Sequence, residues 1–192
     1  IDPRRQLVLS MPLTQVTVDG AKAYHGGLGA AYRLPLTDRW TLTQGARYSV
    51  VASKDRATVS TVMSASLMST YVLPLGGFDL AMGNMVGVYK TGKFSSGDYS
   101  FDPDVNLKMT RNGIMASVPT AMFGSKMAAE FSIIDTRYLG SEKPFVTDSQ
   151  EVGITLGTNR KASNARSFTR MGATYVRSKT TKGFTVNLGF WF

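Results

Sequence analysis

The chain has 192 residues, no cysteine and a formal net charge of +9, with 18% charged and 43% hydrophobic residues. The lack of cysteine excludes disulfides, thiol catalysis and cysteine-based zinc sites. A soluble domain usually carries about 25% charged residues, so the low charge, together with 19 glycines, indicates segments that are apolar on one face and small or polar on the other.

Apolar and polar residues alternate with a period of two along nearly the whole chain, which predicts strands. In chain order the predicted strands are 5–17, 22–36, 39–52, 57–74, 78–91, 107–122, 125–138, 149–159, 166–178 and 182–192. Strands this long suit a tilted crossing of a membrane. We therefore predict one all-β domain over residues 1–192, a closed antiparallel transmembrane β-barrel of about ten strands within a range of about 8 to 12. Residues 1–4 are expected to be a tag or a flexible N-terminus.

One stretch, residues 57–78, contains no charge and is long enough to cross a membrane as a helix. It is rich in Ser and Thr, however, and it ends in Pro74, Gly76 and Gly77. Alternation describes it better, so a strand is favoured there.

The two faces of the strands differ in size as well as polarity. In the second strand Tyr24, Leu28 and Tyr32 alternate with small or polar residues, and later strands repeat the pattern. The small and polar face is expected to line the lumen, where charges must be paired or hydrated. The expected lumen charges are Arg33, Arg47, Glu130, Arg170 and His25, with Arg111 as a further candidate. A hydrated basic lumen and a structural charge ladder that plugs the barrel are both compatible with this set.

The predicted connections alternate in length. Short turns at 37–39, 75–77 and 123–125 alternate with longer polar segments at 53–56, 91–106 and 140–148, and 160–165 is an exception. Outer-membrane barrels have short periplasmic turns and longer extracellular loops. Counted back from the C-terminus, the short turns fall at the periplasmic end.

The last predicted strand has one unbroken apolar face. That face consists of Phe184, Val186, Leu188, Phe190 and Phe192. It resembles the C-terminal insertion signal of bacterial outer-membrane barrels, which the barrel assembly machinery recognises. The alternative is a terminal strand that packs on a soluble β-sandwich.

Leu-Pro-Leu occurs at 34–36 and again at 73–75, the first within the run 29–36, and the chain ends in a Phe-rich strand. These features loosely resemble autotransporter-type translocator barrels. The resemblance implies twelve strands and a helix that threads the pore from the passenger. The sequence predicts about ten strands and no helix, so it fits a truncated or solitary autotransporter-like barrel, or a separate small family.

Motifs for catalysis and for bound cofactors are weak. His25 is the single histidine and lacks a recognisable partner motif, so no catalytic residue and no enzyme activity are expected. Asp98, Asp102 and Asp104 share a loop and could hold Ca²⁺, but their spacing favours a solvated loop, and no metal or cofactor is expected. The basic clusters at 160–161 and 179–182 are expected to contact lipid headgroups or lipopolysaccharide rather than nucleic acid.

These patterns predict a passive conduit or anchor in the bacterial outer membrane, either an autotransporter-like translocator or a small pore with a basic lumen. The alternative is a structural or adhesive barrel with a plugged lumen, whose extracellular loops bind a partner. The expected partners are the lipid bilayer with lipopolysaccharide and, during biogenesis, the barrel assembly machinery.

Overall fold

The computed structural model describes residues 5–18, 21–53, 58–92, 94–96, 99–101, 105–121, 127–139, 147–158 and 168–191. The strands are β1 (Gln6–Ser10), β2 (Leu13–Val18), β3 (Ala21–Pro35), β4 (Trp40–Ser53), β5 (Thr58–Pro74), β6 (Asp79–Gly92), β7 (Phe94–Ser96), β8 (Tyr99–Phe101), β9 (Asn106–Thr120), β10 (Met127–Leu139), β11 (Asp148–Thr158), β12 (Phe168–Arg177) and β13 (Lys182–Trp191). Within these residues there is no helix that is long and apolar enough to cross a membrane.

The long strands pair in sequence order, β1/β2–β3–β4–β5–β6–β9–β10–β11–β12–β13, and β7 pairs only with β8. The chain divides into two compact units, and each unit contains part of this series of strands. The first contains β1 to β4, most of β5, the second half of β6 and the start of β9. The second contains the remaining parts of β5, β6 and β9, almost all of β10, and β11 to β13.

β1 and β2 are one edge strand that is interrupted at Pro12. Both pair with β3 in one continuous register, since Ser10 lies opposite Gly29 and Leu13 opposite Gly26. Pro12 has no N–H to donate to the ladder, although its carbonyl still accepts the Gly27 N–H at 3.2 Å. Counting β1/β2 as one position gives ten positions in the described sheet. The predicted all-β antiparallel fold of about ten strands is therefore confirmed.

Two of the predicted short turns lie within the described residues. Thr37 Oγ1 accepts hydrogen bonds from the backbone N–H groups of Arg39 and Trp40 at 3.2 and 3.0 Å. The second turn is closed by the Leu75 N–H and the Phe78 carbonyl at 2.9 Å. It passes through Gly76 at φ 72°, a left-handed conformation that glycine adopts without a steric cost. The predicted connections 123–125 and 160–165 lie outside the described residues.

Two local features differ from the predicted pattern of connections. The β7–β8 hairpin forms inside the segment 91–106, which was assigned only as a loop. The connection 178–181 between β12 and β13 is a tight turn, closed by the Ser178 N–H and the Thr181 carbonyl at 2.8 Å. This turn is at the end of the strands that carries the longer segments 91–106 and 140–148, so short turns are not confined to the other end.

Large apolar side chains alternate along each strand with small, less exposed residues. On β11, Val152 and Ile154 are 58% and 53% exposed. Gly153, which lies between them, and Gly157, which follows them, are buried. We call the more exposed face outward and the other face inward. Large exposed apolar patches mark contact with another apolar phase or a partner. An outward face of this kind on consecutive strands is suited to lipid.

The register aligns the outward residues of β10 to β13 in rows. One row contains Ile133, Val152, Tyr175 and Phe184, and the row beyond it contains Asp135, Gln150, Arg177 and Lys182. The rings of Tyr175 and Phe184 lie 5.0 Å apart between centroids. Aromatic side chains with a polar tip favour a membrane–water interface. The apolar outward band of these strands therefore ends abruptly at this aromatic row.

We predict that a charge in this outward band is costly and that the same charge on the inward face is not. Val186 and Asn187 are neighbours on β13 and point to opposite faces, and both are exposed. Val186→Arg should lower the free energy of unfolding by about 2–4 kcal/mol, the cost of Arg at the bilayer midplane of a barrel. Asn187→Arg, the matched control, should lower it much less. Urea titrations of protein refolded into lipid vesicles measure both, and equal losses would contradict the face assignment.

Candidate charged site on the inward face

Glu130 on β10 and Arg170 on β12 form an ion pair that crosses β11. Thr155 lies opposite Glu130, and Gly157 lies opposite Arg170. The side chain of Glu130 is only 8% exposed, and that of Arg170 is 15% exposed. Because Gly157 has no side chain, the Arg170 guanidinium has room to pass over β11 toward the carboxylate.

Arg111 on β9 and Glu151 on β11 form a second pair in the same unit, across β10. The contact is bidentate, with nitrogen–oxygen distances of 2.7 and 2.8 Å, the geometry in which guanidinium and carboxylate interact most strongly. Beside it on β10, Thr136 is 2% exposed, and its Oγ1 has no hydrogen-bond partner among the described residues. The inward face of β9 to β12 thus carries two acids and two arginines, whose charges cancel in pairs.

Glycines on the inward face of these strands leave space that neighbouring side chains occupy. A Cβ on Gly153 would lie 2.7 Å from Ser132 Oγ and 3.1 Å from Thr174 Oγ1. A Cβ on Gly172 would lie 2.9 Å from the Ile154 carbonyl oxygen. Such contacts are too close for real side chains, so larger residues would displace the neighbouring hydroxyls.

The other predicted lumen charges belong to the first unit. Arg33 donates a hydrogen bond to Gln6 Oε1 on β1 at 3.3 Å. Arg47 lies beside Gly29, where a Cβ would stand 3.3 Å from its Nε and 2.7 Å from Ser10 Oγ. His25 is half-buried on β3, opposite Val51. The structure therefore brings Glu130 together with Arg170, whereas Arg33 lies beside Gln6 and Arg47 beside Gly29.

Glu151 was not among the predicted inward charges, although its position in the alternating pattern of β11 indicates the inward face. It lies two residues before Gly153 on β11, and residues two apart on a strand share a face. Arg111, a weaker candidate, has this carboxylate as its partner. Pairing across an intervening strand depends on register, which the sequence pattern does not specify.

Three residues of the predicted insertion signal lie on the outward face of β13. Phe184, Val186 and Leu188 are 80%, 70% and 64% exposed. The side chain of Phe190 and the whole of Phe192 lie outside the described residues, as do Asp98, Asp102 and Asp104. No cluster of metal-ligating side chains occurs in the described part of the chain. The roles assigned to all of these residues stay predictions.

One ion pair lies on the outward face instead. Arg137 Nε donates to Asp135 Oδ2 at 2.9 Å, and Gln150 Nε2 donates to the other carboxylate oxygen at 3.3 Å. The Arg137 side chain remains 66% exposed. At the other end of the strands the Trp40 indole N–H donates to Ser69 Oγ at 2.8 Å. This ion pair and this hydrogen bond on the outward face therefore lie near strand ends.

The ten positions in sequence order, all antiparallel, define the class as an all-β protein of the up-and-down barrel type. Among solved structures, the chain is similar to the beta domain of the Bordetella autotransporter BrkA, with a TM-score of 0.50 and 10% sequence identity. The match covers 96% of this chain and 86% of that chain. It shows the barrel fold and confirms the predicted resemblance to autotransporter-type barrels. No family model and no curated protein sequence matches the chain.

We predict that breaking the Glu130–Arg170 pair from one side is strongly destabilising. Arg170→Gln should lower the free energy of unfolding by about 3–5 kcal/mol, because it leaves a buried carboxylate without its counter-charge. The double variant Glu130→Gln with Arg170→Gln should recover much of that loss. Asp135→Asn is the exposed control and should cost at most about 1 kcal/mol. The measurement is urea unfolding of the refolded protein, and a double variant no more stable than Arg170→Gln would contradict the pairing.

Proposed function

We propose that this chain is an integral β-barrel of the bacterial outer membrane that acts as a passive conduit or anchor, of the autotransporter-like translocator type or as a small pore. The structural likeness to an autotransporter beta domain over 96% of the chain is the observation that carries this proposal. The exposed apolar outward face supports it, because such a face is stable only in contact with lipid or another apolar partner. We propose no catalytic role: His25 lies on β3 between two paired strands, opposite Thr14 on β2 and Val51 on β4.

The inward charges determine which ions such a conduit would favour. Arg111 and Arg170 are each neutralised by a glutamate. Arg47 makes no ion pair with any residue that the structure describes, and its side chain is exposed. A fixed charge beside a low-dielectric wall acts strongly on ions that pass it. Selectivity of an open lumen would therefore depend on Arg47 more than on the paired arginines.

We predict a weak preference for anions if the lumen conducts. Planar-bilayer recordings under a salt gradient should give a reversal potential of the anion-selective sign, and this potential should decrease at high salt because the charges are screened. Arg47→Glu should reduce or reverse it. Arg39→Glu, in an exposed turn at one end of the strands, is the control and should change it less. Stable cation-selective conductance that Arg47→Glu leaves unchanged would refute the basic lumen.

A second function is favoured by the low exposure of the paired inward charges. Glu130 and Glu151 are 8% and 12% exposed, which supports a filled interior over β9 to β12. A barrel filled in this way would not conduct, and its activity would belong to the segments 91–106 and 140–148. The absence of conductance in folded wild-type protein, combined with loss of surface adhesion when residues 94–101 are replaced by a short Gly-Ser linker, would favour this alternative.

The predicted insertion signal can be tested independently of conductance. Deletion of Phe192 or Phe192→Ala should reduce the amount of folded barrel in outer membranes severalfold, because the terminal aromatic of the apolar face is removed. Trp191→Ala changes an aromatic residue of the opposite face and serves as the matched control. Heat-modifiable migration on gels and the yield in isolated outer membranes measure assembly. Equal assembly of Phe192→Ala and wild type would contradict this role.

A further inference from the structure

Within the described strands themselves, the charged residues of the outward face lie near one end. They are Lys22, Lys90, Lys108, Asp135, Arg137, Asp148, Arg177 and Lys182, and each lies within five residues of a strand terminus at the end that carries the connections 93–105, 140–147 and 178–181. Six are basic and two are acidic. Of the two acids, Asp135 is already bound to Arg137.

Arg177 and Lys182 are two outward cations of the second unit that form a directly opposed pair. They are directly opposite each other on β12 and β13, and both are exposed. Like charges in directly opposed positions repel. Neither makes an ion pair with a residue that the structure describes, and the outward neighbour of Arg177 on β11 is the neutral Gln150. Two adjacent cations that form no ion pair with a described acid are suited to an external anion.

A third basic residue, Lys179, lies in the turn that joins β12 to β13. Ser178 Oγ accepts hydrogen bonds from the Thr181 and Thr180 N–H groups at 2.9 and 3.3 Å. Lys179 lies exposed in this closed turn. Three exposed basic residues therefore lie together at this hydrogen-bonded hairpin end. We call Arg177, Lys179 and Lys182 the basic patch.

The surface directly below the basic patch is apolar. Tyr175 and Phe184 form the next outward pair, followed by Ala173 with Val186 and Met171 with Leu188. A ligand that matches both the basic patch and the apolar rows below it has phosphate groups that reach the patch and acyl chains that lie on the rows. A soluble phosphate matches only the patch, and an uncharged lipid matches only the rows below.

We infer that the basic patch binds the phosphate groups of lipid A, the anionic lipid of the outer leaflet. This inference rests on the proposed outer-membrane location. The choice of leaflet follows from the strand ends, because the patch is at the end with the longer connections, which are extracellular in outer-membrane barrels, and β13 runs away from it. Charge-assisted contacts from Arg and Lys to phosphate oxygens supply the binding, and the acyl chains lie on the rows of Tyr175 and Phe184.

Binding of fluorescent lipid A to the full chain refolded in uncharged detergent micelles tests the inference. Arg177→Gln with Lys182→Gln should weaken binding about 10-fold or more, given the contribution of each basic residue beside an anionic surface. The matched control is Arg5→Gln with Arg39→Gln, which removes the same charge from exposed residues at the opposite end of the strands. This control should bind nearly as wild type does. Equal weakening of the two variants would mean attraction by net charge alone and would overturn the site.

A second measurement needs no variant. Wild-type protein should bind bisphosphorylated lipid A at least 10-fold more tightly than the same lipid without its phosphates. Inorganic phosphate at the lipid concentration should not compete, since it cannot use the apolar rows. Equal binding of both lipids, or full competition by inorganic phosphate, would overturn the inference. Fractionation of cells tests the outer-membrane location separately, so loss of lipid selectivity in a protein found in the outer membrane counts against the patch alone.

Discussion

Backbone hydrogen bonding in an apolar surrounding is the constraint on which this structure depends. A strand that exposes Val, Ile, Leu and Phe to lipid has no water there to bind its N–H and C=O groups, so each group must pair with a neighbouring strand. The order of strand pairing from β1/β2 to β13 meets this demand for the strands between the two edges by placing neighbouring long strands side by side. Pro12, which cannot donate, lies in the edge position of that order, where proline interrupts a sheet least.

Successive side chains on a strand point to opposite faces, so the choice of outward residues also decides which positions point inward. Every apolar residue placed outward forces its neighbours inward, where the room is limited by the adjacent strands. Gly153 and Gly172 meet that limit by leaving space for hydroxyl groups. The buried charges on that face are paired, as Glu130 and Arg170 are across β11. The ion pairs are thus a consequence of the alternation, since a long side chain must reach over an intervening strand to find its partner.

The sequence predicted the strands closely and the contacts poorly, for physical reasons. Alternation is a local property, so β11 was predicted at 149–159 and observed at Asp148–Thr158. The β7–β8 hairpin was missed because each of its strands has only three residues, too few for a period to be visible. Glu151 was missed as the partner of Arg111 because the two lie 40 residues apart. Strand register alone brings them together, and register is not a property of either strand.

The position of charge along the strands follows from its cost. A charge in the middle of the outward face would have to lose its hydration, whereas one near a strand end keeps contact with water or with lipid headgroups. This cost explains why the described outward charges lie near strand ends, but it does not explain why basic residues outnumber acids there. An excess of one sign raises the repulsion within the protein, as between Arg177 and Lys182. Under the proposed binding of lipid phosphates, anions from outside offset that repulsion. The excess of basic residues would then depend on the surroundings of the barrel, while the depth of the charges depends on the barrel itself.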